Sequence, residues 1–557
     1  MSYFDDDAEG CDPPHPLGVL PAGNYLLDAF KPGFIDARRN GLGSLSRLDD
    51  EAMLCVLEFL DAKSLCLFGA ASRITYAFAA HDDTWRALVL RVDNWDFVFH
   101  GSWRATATGQ AAPFPPPFSR CGLYSAVLYH AHRAATARIR KVWGEFDNLP
   151  RLSLLNTEEE NFRINFEMGV GRPSLFVGGV KDRWPGWEAN GGGEWSGPSL
   201  VAKHGTACFH AGGFDPSLSA YTSYASRDTS DQAMYIFDAE FVNKVPILGN
   251  YKVPDLFSND LFALLPPLER PHFQWLICGP RKSGSVFHVD PNGTSAWNAC
   301  LAGAKLWILL PPDLPPPGVW ASQDGAHACA PLSVVEWYLQ FWEPYREMRD
   351  KRLRACDAED AAKVKIAAAA ATIGGEVEGG GREGGGSLQW HASGGGGQKR
   401  GRPSSTTTAT TAPPPPPLAR PYSGIAREGD IVFIPHGWWH CVLNIGEGLT
   451  IAVTQNFCSK EGLPKVLQFL REKPHAISGM RDDDSALQLE RRFRSVLQEK
   501  EPEELLRADA ILAAAIFKQT TTSSSSRWAR VTAAAAATVD DNTPFSATSL
   551  WGGGKEV

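Results

Sequence analysis

Two strand-like, aromatic-rich segments about 150 residues apart constrain this chain more than anything else in it. Residues 283–312 read SGSVFHVDPNGTSAWNACLAGAKLWILLPP, and residues 428–457 read EGDIVFIPHGWWHCVLNIGEGLTIAVTQNF. The first holds His288 and Asp290, the second His440. Alternation along a strand sends residues i and i+2 to one face, so His288 and Asp290 converge while Val289 packs behind. With His440 they supply two imidazoles and one carboxylate. That set occupies one face of a metal, leaves the opposite face open, and is the donor set of non-heme Fe(II) oxygenases. A common site requires the fold to bring the two segments together.

A bare His-x-acid pair carries little weight. With 14 His and 63 acidic residues in 557, about 1.6 such pairs are expected by chance. The chain has two, the other being His81-Asp82-Asp83, which lies in a helical stretch and reads as solvated surface. His436 is the rival to His440. A His pair at i, i+4 would suggest a helical zinc site, but Pro435 and Gly437 disfavour a helix there and no Glu follows His436. His436 therefore reads as a loop histidine beside the site. A zinc site without redox activity is the alternative metal reading.

Composition sets outer bounds. The length implies two to four structural units, and a 43% hydrophobic content can fill at least one large core. A net charge of −9 gives no general positive field for a phosphate backbone. The 11 Cys contain no C-x-x-C pair, so neither a zinc knuckle nor a disulfide framework is signalled, and free thiols in a reducing compartment are expected. The acidic start has no apolar signal region and no apolar run reaches membrane-spanning length. A soluble intracellular protein, nuclear or cytoplasmic, is expected.

Along the chain, residues 1–40 read as a disordered arm and 41–105 as a small helical domain, with Leu54, Leu57, Leu60, Leu65 and Phe68 at helical spacing. Asp61 is placed to cap the helix that begins near Lys63. A Pro-rich linker and helical connector fill 106–150. From 151 the pattern changes to short strands (SLFVGGV, MYIFDAEF, QWLICGP, SVFHVD, KLWILLPP), closing with a helix over 331–354. Residues 355–418, rich in Ala, Gly, Ser, Thr and Pro, are expected to be a disordered insertion. Strands resume in 419–517, followed by helices, and 518–557 reads as a disordered tail.

DQAMYIFDAEF, YKVPDLFSNDLF, HVDPNGTSAWNACLAGAKLW and GWWHCVLNIGEGLTIAVTQNF resemble the Jumonji-C dioxygenases. The likeness is to the lysyl hydroxylase and arginine demethylase branch, once described as a phosphatidylserine receptor. The resemblance implies a mainly β core, a double-stranded β-helix of the jelly-roll or cupin type, with flanking helices. It also implies Fe(II) held by His288, Asp290 and His440, with 2-oxoglutarate and O₂ as co-substrates. Lys305 falls on the lysine that pairs with the distal carboxylate of 2-oxoglutarate, and its own setting agrees, since a cation in the apolar strand AKLWILL needs an anionic partner. Tyr235, Asn298 and Thr454 match other co-substrate-pocket positions. Ser285 stands where that branch has Thr, keeping the hydroxyl without the methyl. The implied activity is oxidation of a protein side chain, by Lys hydroxylation or Lys/Arg demethylation, with histones among the candidate substrates.

Residues 41–105 resemble an F-box in the leading Leu-x-x-Leu, the Leu-x-Phe-Leu-Asp helix end and the final Asp-x-x-Trp-Arg. An F-box implies docking to a Skp1-type adaptor, and a ubiquitin-ligase substrate receptor is the alternative function, with the β core as a binding module. Lys399-Arg400-Gly401-Arg402-Pro403 looks like an AT-hook core, which would imply DNA contact, in a segment otherwise read as a solvated linker.

Overall fold

The computed structural model describes residues 37–90, 96–110, 123–321 except Asn190, Thr229 and Asp231, then 328–329, 333–375 and 418–515. Thirteen strands appear among them: β1 Arg151–Leu152, β2 Ser174–Phe176, β3 Ile236–Asp238, β4 Gln274–Gly279, β5 Gly284–His288, β6 Ser295–Ala302, β7 Ala304–Leu310, β8 Trp320–Ala321, β9 Ala328–Cys329, β10 Tyr422–Arg427, β11 Ile431–Ile434, β12 Trp439–Asn444 and β13 Thr450–Phe457. Seven form one sheet in the order β1-β2-β11-β6-β13-β4-β3, four form a second in the order β10-β7-β12-β5, and β8 pairs only with β9. Apart from the β1–β2 edge every pairing is antiparallel, as a jelly-roll core requires.

Strand parity assigns the side chains of the two sheets to different cores. On β7, Ala304, Leu306, Ile308 and Leu310 face outward and pack with Trp337, Tyr338, Trp342 and Tyr345 of the helix Val334–Gly375. Trp307 and Leu309 face inward and meet Ala296, Val432, Ile434 and Val442 between the sheets. The outer face of the seven-stranded sheet (Trp297, Ala299, Ile431, Phe433, Ile451, Val453) packs on a third cluster. That cluster continues through Tyr221 and Tyr224 to Phe99, Trp103, Trp85, Phe78, Leu65 and Met53 of the N-terminal helices.

Those helices run Asp50–Glu58, Ala62–Ala71, Arg73–Ala79 and Asp82–Leu90. Asp61 caps the second, accepting from Ser64 N–H at 2.7 Å. His81 Nδ1 accepts from Asp83 N–H at 3.3 Å at the start of the last helix, so the second His-x-acid pair serves a helix end. Among the described residues, the N-terminal helices and the strands fall in one compact unit that ends at Leu489, and a second begins at Glu490.

The helix expected over 331–354 runs instead from Val334 to Gly375, which corrects the start of the insertion at 355. Residues 355–375 lack an apolar stripe but are rich in Ala, the strongest helix former, with Glu359, Lys363 and Lys365 beside it, enough to continue without burial. Glu359 pairs with Lys363 at 2.7 Å one turn on. Arg420 bonds Asp357 and Asp360 at 2.8 and 2.7 Å, tying the returning chain to this helix. The arm before Ala37, the Lys399–Pro403 segment and the C-terminal tail lie outside the described residues. Among the described residues no helix is long and apolar enough to cross a membrane.

Candidate metal and co-substrate site

The strand register brings His440 directly opposite His288. β5 ends at His288, and Asp290 follows in extended conformation as the cap of the Pro291–Gly293 turn, so it rejoins the face of His288 just beyond the strand. The ligand atoms of His288, Asp290 and His440 lie within 4.8 Å of one another. His440 Nε2 is 3.9 Å from Asp290 Oδ1, and the two imidazole centroids are 4.1 Å apart.

Each imidazole is oriented by its own strand. His288 Nδ1 lies 2.8 Å from Val286 O, and His440 Nδ1 lies 3.0 Å from Trp438 O. A carbonyl only accepts, so both Nδ1 atoms carry the proton and both Nε2 lone pairs are free for a metal. Asp290 Oδ2 is buried without a hydrogen-bond partner. Burial pushes the Asp290 carboxyl up despite neighbouring His288, and pushes His440 well below its usual range, with His288 adding to the effect. Two neutral donors, one carboxylate and an orphaned oxygen fit a divalent cation, whose charge would favour the ionised acid.

The other expected residues lie deeper between the sheets. On β12, Asn444 is four residues from His440, about 13 Å along the strand, and it pairs with Lys305 on β7. Lys305 is 1% exposed, and among the described residues its Nζ reaches only Asn298 Oδ1, at 3.4 Å. Burial lowers this ammonium to about 8. Asn298 faces Thr454 across β6 and β13, and the Thr454 hydroxyl donates to Trp297 O at 2.8 Å. Ser285 is opposite Val442, beside the Tyr235 phenol, which it draws down slightly while burial holds it well above its usual range. Tyr235 Oη has no partner of good geometry. A Cβ at Gly279 would collide with the Tyr235 ring and the Ser283 hydroxyl, so glycine makes the room for that ring.

Sequence reasoning passed over Asn444, Ser283 and Asn456. Asn444 Nδ2 donates to Ser283 Oγ at 2.9 Å while its Oδ1 has no partner. Asn456 Nδ2 donates to Thr294 Oγ1 at 3.0 Å, and the same side chain lowers Asp290. Parity was the available signal: Asn444 follows His440 by an even number of residues and so shares its face. His436 is also buried, at 7% exposed, in the wall of a cleft of about 760 Å³. The cleft opens over Asp290 and is lined by Val170, Pro312, Asp313, Lys465 and Phe469 among others.

No protein-family model matches the chain. It is 33% identical over 499 residues to the arginine-specific demethylase JMJ22 of Arabidopsis thaliana, an alignment covering 87% of this chain and 81% of that protein. It is 26% identical over 441 residues to the lysine-specific demethylase JMJ21 of the same plant, covering 76% of this chain and 38% of that one. Against the bifunctional arginine demethylase and lysyl-hydroxylase psr-1 of Caenorhabditis briggsae the identity is 28% over 328 residues, 57% of this chain and 63% of that protein.

Proposed function

The chain belongs to the Jumonji-C family, and from that premise we propose that it is an Fe(II)- and 2-oxoglutarate-dependent oxygenase of protein side chains, acting on Lys or on N-methylated Lys or Arg. The observation that carries this reading is the pair of Nε2 atoms and the Asp290 carboxylate, whose Oδ2 has no partner among the described residues, converging between the sheets with buried Lys305 deeper inside. Bound there with 2-oxoglutarate, the iron supplies the oxidising chemistry: O₂ is consumed, the keto acid becomes succinate and CO₂, and one oxygen atom enters a substrate C–H bond. His288, Asp290 and His440 would hold the metal. Lys305 would neutralise the distal carboxylate, with Tyr235, Ser285, Asn298 and Thr454 completing its polar surroundings. A buried cation with one weak neighbour lacks an anion, and a dicarboxylate provides it. A hydroxylated N-methyl carbon leaves as formaldehyde, so hydroxylation and demethylation need the same protein groups.

Succinate production with Fe(II) tests the reading, comparing wild type with His288→Ala. Equal turnover in the two overturns it. Mass spectrometry of Lys and methyl-Arg peptides then separates hydroxylation, a gain of about 16 Da, from demethylation, a loss of about 14 Da.

A second, compatible reading is adaptor docking by the N-terminal helices. Phe59 is 85% exposed, Leu67 66% and Val56 46%, and all three lie on or just after the Asp50–Glu58 and Ala62–Ala71 helices. Apolar side chains in such exposed positions suit helix-in-groove association with a Skp1-type partner. Co-purification of the adaptor that survives Phe59→Asp/Leu67→Asp would exclude docking through this face.

A further inference from the structure

The cleft above Asp290 has a charge pattern that the co-substrate does not need. Its two outer acids are already compensated, Asp313 by Arg352 and Glu472 by Arg471 at 3.6 Å and the Gln468 amide at 3.2 Å. Its cations are not. Lys465 makes no ion pair among the described residues, and Lys473 rests only over the Phe469 ring, 5.5 Å from its centroid. His436 lines the same wall. Its main-chain N–H donates to Ser295 Oγ at 3.1 Å, yet its imidazole has no hydrogen-bond partner among the described residues although it is more than nine-tenths buried.

The ring nitrogens open onto the cleft rather than being sealed within protein, so a ligand that enters can meet them. Burial, reinforced by Lys465, holds that imidazole at about 4, so it is neutral and presents one N–H. An N–H donor beside an uncompensated ammonium is complementary to an acceptor that bears negative charge. We propose that His436 and Lys465 form a subsite for a carboxylate that the substrate polypeptide carries next to its modified side chain. The proposal rests on the oxygenase reading of this site and deepens it by fixing the sequence context of the substrate. With the outer acids compensated, Lys465 and Lys473 leave the cleft wall positive. A Lys or Arg side chain alone would enter against that field, whereas an acidic neighbour in the same peptide offsets it.

The test uses the full chain and two fluorescein-labelled peptides, each with one central arginine, flanked two residues away on either side by glutamate or by glutamine. Binding is read by fluorescence anisotropy without 2-oxoglutarate, so it does not depend on turnover. The glutamate peptide is expected to bind about five- to twenty-fold more tightly, as charge-assisted hydrogen bonds would give. Lys465→Glu, at an exposed position, should reverse that order, and His436→Ala should shrink the preference. Equal affinity for the two peptides, no binding of the glutamate peptide at millimolar concentration, or a preference untouched by Lys465→Glu overturns the subsite. Glutamate-dependent binding without any succinate formation would count against the oxygenase reading instead and leave the subsite standing.

Discussion

Lys305 is held in the barrel with a single weak polar neighbour, and burial brings its ammonium down to about 8. The unfolded chain keeps the ordinary value of 10.5. Between those values the unfolded state binds more protons, so the ligand-free protein gains stability as pH rises through about 8 to 10.5. A bound dicarboxylate has the opposite preference, because it needs the ammonium. The affinity for 2-oxoglutarate is therefore expected to fall about tenfold per pH unit above 8, measurable as a dissociation constant from pH 7 to 9.5. Lys305→Met should abolish binding while leaving the ligand-free melting temperature equal or higher, since it removes an uncompensated buried charge. The same logic applies to Asp290: Asp290→Asn is expected to weaken metal binding at least ~100-fold without destabilising the metal-free fold. Isothermal titration with Mn(II), paired with thermal denaturation, reads both effects. A metal affinity within a factor of three of wild type would contradict the ligand assignment.

The elements that carry these residues differ in how plainly the sequence announced them. β7 and β12 were legible because AKLWILL and WHCVLN are nearly all apolar and bounded by turn residues, while the inward-facing His440 and Lys305 stand out chemically. The helix to Gly375 was missed past 354 because its continuation depends on propensity and on the Arg420 ion pairs, neither of which leaves an apolar period. Nor did the sequence reveal what fixes the turn after Asp290. Asn292 adopts the left-handed conformation (φ 58°), and its side-chain amide bonds Ser478 twice, Nδ2 to Ser478 O at 3.0 Å and Oδ1 from Ser478 N–H at 3.1 Å. Those partners lie 186 residues apart, beyond any local pattern. Asn292→Gly keeps the backbone conformation and deletes both bonds, so a loss of about 1–3 kcal/mol is expected. Metal affinity should fall along with it, because Asp290, the proposed ligand, caps that turn. A variant with native metal affinity but lowered stability would reduce the clamp to a purely structural role.

Across residues 1–489 the N-terminal helices share their core with the outer face of the large sheet. Trp103 lies 5.2 Å from Phe99 and 5.1 Å from Tyr224, centroid to centroid, and Phe99 meets Tyr224 edge-on at 5.1 Å. Arg86 donates to Gln232 O at 3.0 Å, and Arg227 to Phe99 O at 3.1 Å. On the far side of this junction, Tyr224 Oη accepts from Met234 N–H at 2.8 Å and Tyr221 Oη donates to Cys278 O at 2.8 Å. Those contacts fix the segment that presents Tyr235. The helices are thus continuous with the support of the co-substrate pocket, whatever they bind on their outer face. Trp103→Ala should cost about 3–5 kcal/mol, lower the melting temperature of the whole unit in one transition, and raise the dissociation constant for 2-oxoglutarate although no pocket residue is altered. Phe59→Asp, on the exposed side of the same helices, should leave both quantities unchanged. Calorimetry of the two variants discriminates: two separate transitions in Trp103→Ala, with the upper one at the wild-type temperature, would mean that the helices fold as an independent module and that the shared core transmits nothing to the barrel.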